Sequence, residues 1–135
     1  MARFAAQTQV LPGHAKLHIL HIEDDPEVAG AVAQLLESSG YEVTHAADGL
    51  SGLIAFNQNP DQWSAVLVDL NLPHVSGNSL LKEMHRIRPS LPLIVLTGAA
   101  PGTNLEVFEQ GAIILWHKPV SSTEILENLK ALLPS

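Results

Sequence analysis

Residues 65–68, AVLV, form a continuous apolar run, and the carboxylate of Asp69 follows it directly. Apolar residues without polar alternation are typical of a strand that is buried on both faces, as in parallel sheets. Residues 93–96, LIVL, have the same character, and the hydroxyl group of Thr97 follows them. Both stretches therefore predict central strands of a parallel sheet, each with a polar side chain at its carboxyl end.

Shorter apolar runs on either side alternate with amphipathic stretches. The runs Leu17–Ile22, Tyr41–His45 and Ile113–Trp116 predict three further strands. Apolar residues at helical spacing follow each of the five strands: Val28, Val32, Leu35 and Leu36; Leu50, Leu53, Ile54 and Phe56; Leu80, Leu81, Met84 and Ile87; Leu105 and Phe108 between Gly102 and Gly111; and Ile125, Leu126, Leu129, Leu132 and Leu133. Five β–α units predict an α/β fold with a doubly wound parallel sheet and helices on both faces.

The composition limits the classes of function. A chain of 135 residues suits one domain, and we expect an irregular extension over residues 1–15 and the domain over residues 16–135. The formal net charge of −7 argues against binding to nucleic acids or to an anionic membrane. There is no cysteine, no long apolar run and no signal-peptide pattern, so we expect a soluble cytoplasmic protein.

The residues that follow the strands carry the chemistry, because ligands of open α/β sheets bind at the carboxyl ends of strands. Glu23 and Asp24 follow the first strand, Asp69 the third, Thr97 the fourth and Lys118 the fifth. Clustered carboxylates attract a cation, and Mg²⁺ prefers hard oxygen ligands. A carboxylate can also act as a nucleophile toward phosphorus, while an ammonium group and a hydroxyl stabilise the phosphoryl oxygens.

The chain resembles the receiver domains of bacterial response regulators over roughly residues 16–133. The segments that match are ILHIEDDPEV, VLVDLNLPHVSG, LPLIVLTGAA and WHKPV. The resemblance implies a flavodoxin-like (βα)5 three-layer sandwich with strand order 2-1-3-4-5. It also implies the roles of the site residues: Asp69 as phosphoacceptor, Asp24 as direct Mg²⁺ ligand, Glu23 as a ligand mostly through water, Asn71 as a ligand through its backbone carbonyl, Thr97 as switch hydroxyl and Lys118 as phosphate-binding lysine.

The same resemblance implies a signalling module of two-component or phosphorelay systems. A sensor histidine kinase or histidine phosphotransfer protein would donate the phosphoryl group. The face of the predicted fourth helix, fifth strand and fifth helix would contact a downstream protein, with a homodimer as a further option. The domain would not be an enzyme beyond Mg²⁺-dependent autophosphorylation and autodephosphorylation. Both a stand-alone regulator and the receiver piece of a hybrid histidine kinase fit the sequence.

Several positions depart from the family pattern. Leu115 stands where the family usually has Tyr or Phe, so the aromatic half of the usual switch is absent. The neighbouring Trp116 has the wrong strand parity for a simple exchange. Ala99, two residues after Thr97, is too small to position an attacking water. A receiver-like binding module that is never phosphorylated therefore stays open, as does an aspartate-nucleophile phosphatase, although Asn71 stands where such enzymes usually carry a second Asp.

Other polar residues have structural interpretations. Asp25 precedes Pro26 and is predicted to cap the first helix. His18 and His21 are predicted to be core or strand-end imidazoles, because the seven histidines show no metal-binding spacing. Gly77 matches the family's turn before the third helix, where a Cβ would crowd the backbone.

Overall fold

The computed structural model describes residues 17–70, 72, 76–98, 111–117 and 121–133, and for residues 112–117 and 122 it describes the backbone. The elements are β1 (His18–Ile22), α1 (Pro26–Ser38), β2 (Glu42–Ala46), α2 (Gly49–Gln58), a 3-10 helix (Pro60–Gln62), β3 (Ala65–Asp69), α3 (Gly77–Ile87), β4 (Leu93–Thr97), β5 (Ala112–His117) and α4 (Ser122–Leu132). The predicted helix between Gly102 and Gly111 lies outside the described residues, and α4 corresponds to the predicted fifth helix. In the described part, no helix combines the length and apolar character that a membrane span requires.

The five strands form one parallel sheet in the order β2-β1-β3-β4-β5. The chain moves outward from β1 to β2 and then continues on the other side of β1 with β3. The strand order therefore reverses between β1 and β3, and the two connections leave a crevice above their carboxyl ends. The predicted α/β class and strand order are confirmed.

Each face of the sheet carries its own apolar core. One core joins Leu20, Val68 and Val95 of the sheet to Phe56 of α2 and Met84 of α3. The other core joins sheet residues of the opposite parity to α1 and α4, and it contains Ile19, Leu67, Leu96, Leu36 and Leu129. Successive residues of a strand point to opposite faces, so strands with helices on both sides must be apolar throughout. This explains the unbroken runs of β3 and β4, in which every residue is buried.

The second strand lies at one edge of the sheet and is less buried than the others. It runs over Glu42–Ala46, one residue later than the predicted Tyr41–His45. Tyr41 instead closes the turn after α1, where its N–H donates to the oxygen of Leu36. The apolar pattern alone did not distinguish these two positions, because Tyr41 is buried in the core as well.

Helix α2 approaches β1 most closely at a glycine. A Cβ at Gly52 would lie 2.5 Å from Cδ1 of Ile22, so the helix backbone approaches the sheet closely there. This contact turns Leu50 and Ile54 outward, where they are 61% and 53% exposed. Both belong to the predicted apolar stripe of this helix, but Phe56 is the residue that the helix buries completely.

Candidate functional site

Three strands place their terminal or next residue at the reversal of strand order. Glu23 directly follows β1, Asp69 is the last residue of β3, and Thr97 is the last residue of β4. Strand pairing aligns Asp69 with Leu96, one residue before Thr97. Parallel strands carry these three side chains to the same edge of the sheet, and all three are at most 2% exposed. The structure therefore brings together the acidic and hydroxyl groups that the sequence predicted.

The carboxylates of Glu23, Asp24 and Asp69 form a compact group. One oxygen atom from each lies within 4.8 Å of the others. Glu23 and Asp69 are buried and Asp24 is exposed, so the group opens to solvent on one side. Among the described residues it is the only set of three or more acidic, histidine or cysteine side chains close enough to hold a metal ion.

This set of donors fits a hard divalent cation. Three carboxylates at this spacing repel one another, and a cation between them removes that repulsion. All three donors are oxygen atoms, which suits Mg²⁺ or Ca²⁺ better than metals that prefer nitrogen or sulfur. An exposed carboxylate at the opening also leaves room for water or a phosphate oxygen in the coordination sphere.

The start of α1 holds the acidic residues in place. Asp25 caps this helix, since its Oδ1 accepts from the N–H groups of Glu27 and Val28, as predicted. The N–H of Asp25 in turn donates to Oε2 of Glu23 at 3.2 Å. Pro26 follows as the first helical residue, where a missing N–H costs nothing. The cap thus fixes both the helix and the side chain of Glu23.

The backbone of Glu23 is held from the neighbouring strand. Its N–H donates to the oxygen of Ala46 at 3.0 Å, and its own carbonyl oxygen accepts from Nε2 of His45 at 2.6 Å. A carbonyl can only accept, so Nε2 of His45 carries the proton in this contact. The sequence pattern indicates no role for His45. Only the β1–β2 register, which places His45 opposite His21, shows where it acts.

A glycine allows the close approach beneath Asp69. A Cβ added at Gly77 would lie 2.8 Å from Cα of Leu70 and 3.3 Å from the oxygen of Asp69. The sequence predicted Gly77 in the turn before the third helix, whereas the structure has it as the first residue of α3. The predicted crowding of the backbone is confirmed. The N–H of Leu70 also donates to the oxygen of Leu96 at 3.0 Å, which continues the β3–β4 pairing past Asp69.

Two predicted site residues, Asn71 and Lys118, lie outside the described residues, as does Ala99. Lys118 follows directly on His117, the last residue of β5, and strand pairing aligns His117 with Thr97. The same register aligns Leu115 with Val95 and Trp116 with Leu96. Leu115 therefore shares the parity of Thr97 and Trp116 does not, which agrees with the predicted mismatch of Trp116 for the role of the missing aromatic.

The two histidines of β1 are structural, as predicted. His21 is completely buried, with its ring 6.3 Å from that of His45. His18 shares a hydrogen bond with Oγ1 of Thr44 at 2.8 Å, and its ring contacts that of Trp63 in a tilted arrangement, with centroids 4.6 Å apart and an interplanar angle of 50°. His18 and His21 both lie outside the group of metal-competent residues.

Comparisons with known proteins identify the family. Residues 19–130 match the family model described as the response regulator receiver domain. The sensory transduction protein RegX3 of Mycolicibacterium smegmatis is 34% identical over 116 residues, which cover 85% of this chain and 50% of that protein. The transcriptional regulatory protein GlrR of Escherichia coli is 29% identical over 84% of this chain and 26% of its own length. The chain thus spans half or less of the length of these two relatives.

A solved structure supports the same assignment. The CheY-like receiver domain protein of Methanospirillum hungatei is 32% identical, with a TM-score of 0.81, over 87% of this chain and 93% of that chain. This match covers nearly the whole of that solved receiver domain, whereas the matches to RegX3 and GlrR cover only one part of each protein. Because the family model spans most of the chain and the fold agrees, the protein belongs to the response regulator receiver domain family.

Proposed function

We propose that Asp69 is the residue that accepts the phosphoryl group. The observation that carries this proposal is the position of Asp69: a buried carboxylate at the end of β3, with an oxygen within 4.8 Å of oxygens of Glu23 and Asp24. The exposed Asp24 marks the side from which a phosphodonor can approach. Thr97, buried at the end of the adjacent strand, would offer its hydroxyl to an oxygen of the transferred group.

The reaction is a transfer from histidine nitrogen to aspartate oxygen. An Oδ atom of Asp69 forms a bond to phosphorus while the bond between phosphorus and the donor imidazole breaks, and the imidazole nitrogen then takes a proton from solvent. Mg²⁺ would neutralise the phosphoryl oxygens, held by Asp24, Asp69 and the backbone carbonyl of Asn71, with Glu23 acting mostly through water. Lys118 would supply a second positive charge to the same group.

The donors proposed are a sensor histidine kinase or a histidine phosphotransfer protein. Output would follow from a two-state shift that the contacts of the phosphoryl group with Thr97 and Lys118 bias. The surface of the helix predicted between Gly102 and Gly111, of β5 and of α4 would then bind a downstream protein or a second copy. Small phosphodonors would also modify Asp69, and water would remove the group again. A cytoplasmic location and the division into residues 1–15 and 16–135 belong to the same proposal.

One observation favours a second candidate function. The position aligned with Val95 on β5 carries Leu115, so a switch that needs an aromatic side chain there cannot operate. A receiver-like module that binds its partner without phosphorylation would show this feature. The phosphatase alternative gains no such support, since Asn71 is not a carboxylic acid and cannot protonate a leaving group.

Intact-mass measurement after incubation with acetyl phosphate tests the proposal. We expect the gain of one phosphoryl group in the presence of Mg²⁺, no gain with a chelator, and no gain in Asp69→Asn. Asp61→Asn removes an exposed carboxylate from the 3-10 helix and should leave the gain unchanged. A wild-type protein that gains no mass and does not bind a beryllofluoride analogue would support the unphosphorylated binding module instead.

A further inference from the structure

A groove lies at the start of the edge strand β2, at the end of the sheet opposite to Asp69. Its volume is about 430 Å³, and it is lined by His18, Glu37, Tyr41, Glu42, Val43 and Thr44. Successive residues of a strand point to opposite faces of the sheet, and the lining includes residues of both parities, Tyr41 and Val43 as well as Glu42 and Thr44. The groove therefore lies at the edge of the strand and not on one face. None of the described residues of the proposed phosphorylation site lines it.

Among the described residues, the backbone of β2 has no partner strand along this edge. The N–H of Glu42 donates to the oxygen of Leu17, and the oxygen of Ala46 accepts from the N–H of Glu23. These residues therefore turn their backbone groups toward β1. Alternate residues of a strand point the opposite way, so Val43 and His45 direct their N–H and C=O groups away from the sheet. Within the described residues no strand pairs with this side, which makes it a template for another strand.

The charge around the groove is negative. From residue 17 to residue 81 the chain has nine Asp and Glu residues and no Lys or Arg. Glu37 and Glu42 bring two of these carboxylates to the groove, and both residues are exposed. Tyr41 is the third acidic group of the lining. A phenol is neutral at physiological pH, and burial raises the pKa of Tyr41 further. The groove therefore favours a cationic, extended segment over an anionic one.

We propose that the N-terminal segment of this chain, residues 1–16, occupies the groove, with residues 7–11 adding as an antiparallel strand to the free edge of β2. The segment contains Arg3 and Lys16 and no Asp or Glu, which complements Glu37 and Glu42. Thr8 and Val10 share one parity and favour strand structure. Five residues, QTQVL, match the five residues of β2 in length.

The connection is long enough. Leu17 precedes β1, the strand next to β2, and adjacent strands lie about 4.8 Å apart, so the outer side of β2 is roughly 10 Å away. Residues 12–16 can span up to roughly 17 Å. Pro12 and Gly13 favour a turn between the two directions, which makes the added strand antiparallel. Covalent attachment also gives the segment an effective concentration of about millimolar or above at this site.

Two other occupants are less compatible with these observations. A second copy that paired through the same edge would bring two sets of Glu37 and Glu42 together and would repel. A basic segment of a foreign protein would match the charge but would have to displace a segment attached one residue away from β1. The three cases differ in what they predict for the purified protein.

Hydrogen exchange of individual amides in the isotope-labelled full chain, followed by NMR without any phosphodonor, tests this inference. We expect the amides of Val43 and His45 to exchange at least about tenfold more slowly than unpaired amides. Val10→Pro removes a backbone donor from the proposed strand and should abolish this protection. Ala5→Pro, outside residues 7–11, should retain it. The amide of Glu23, bonded to Ala46, serves as an internal reference and should not change.

Charge variants test the recognition. Glu37→Gln with Glu42→Gln, and separately Arg3→Gln with Lys16→Gln, should each lower the protection severalfold. Asp61→Asn with Glu127→Gln changes the net charge at exposed sites elsewhere by the same amount as the Glu37→Gln and Glu42→Gln pair, and it should not lower the protection. Protection that is absent from the wild type, or equal in Val10→Pro, overturns the inference, and protection that rises with protein concentration overturns it in favour of a second copy. The experiment does not involve phosphorylation of Asp69. Its outcome is therefore the same whether or not Asp69 accepts a phosphoryl group.

Discussion

The ring of His45 reaches from β2 to the loop after β1, where its Nε2 donates to the backbone oxygen of Glu23 at 2.6 Å. The carboxylate of the same Glu23 belongs to the acidic group with Asp24 and Asp69. His45 thus fixes the peptide that orients a metal-competent side chain, without being part of the group itself. It is a positioning residue for the carboxylate of Glu23.

Replacement of His45 by Ala should weaken Mg²⁺ binding by about tenfold, because the loop that carries Glu23 and Asp24 loses a bond that orders it. Titration calorimetry with MgCl₂ measures this change. His14→Ala removes a histidine that precedes β1 and should bind Mg²⁺ like the wild type. Equal affinities in His45→Ala and the wild type would show that the loop keeps its conformation without this bond.

Replacement of Gly77 by Ala should lower the free energy of unfolding by about 1–3 kcal/mol, since the new Cβ would meet the backbone of Leu70 at 2.8 Å. Urea denaturation measures this effect. Gly30→Ala is the matched control: it lies inside α1 with no atom within 4 Å of the added Cβ. We expect Gly30→Ala to raise the free energy of unfolding by about 0.5–1 kcal/mol, because alanine favours helix more than glycine does. Destabilisation by both variants, or by neither, would contradict this account of the two glycines.

Replacement of Arg88 by Met should destabilise the protein by about 1–3 kcal/mol. Nη1 of Arg88 donates to the oxygens of Pro60 at 2.8 Å and Trp63 at 2.7 Å, which ties the end of α3 to the segment before β3. Arg86→Met is the control, because Arg86 bonds only to Glu83 at the exposed surface among the described residues. Thermal unfolding should show a lower midpoint for Arg88→Met and no measurable change for Arg86→Met. The reverse order would assign the stabilising role to the surface pair.

Stability should fall in alkaline solution through the phenol of Tyr41. Burial raises its pKa above the ordinary value of 10.0, so the unfolded chain releases this proton at a lower pH than the folded chain. The free energy of unfolding is therefore unaffected below about pH 10 and decreases as pH rises from there toward the folded-state pKa. Tyr41 is the only tyrosine, so its ultraviolet titration reads this group alone. Tyr41→Phe should lose less stability than the wild type over this range, and identical pH dependence of the two proteins would contradict the prediction.

The sequence predicted best where burial imposes a single pattern. Residues 65–68 and 93–96 could be assigned because a strand with helices on both faces has no polar position until its end. Asp25 could be assigned as a cap because its side-chain oxygen and the following Pro26 act within one turn of chain. Leu50 and Ile54 could not be placed, since an apolar residue on a helix can lie on either side. The close approach of Gly52 to Ile22 decides which side faces the core, and Ile22 lies in β1, far from Gly52 in the sequence.

The sequence by itself determined the α/β class, the carboxyl-terminal positions of Asp69 and Thr97, and the acidic pair that follows β1. These features depend on short-range periodicity and on the fact that parallel strands end at a common edge. Only the tertiary structure decided that oxygens of Glu23, Asp24 and Asp69 lie within 4.8 Å of one another, that His45 holds the loop of Glu23, and that an acidic groove lies along the free edge of β2. Each of these depends on the register and order of the strands, which bring together residues far apart in the chain.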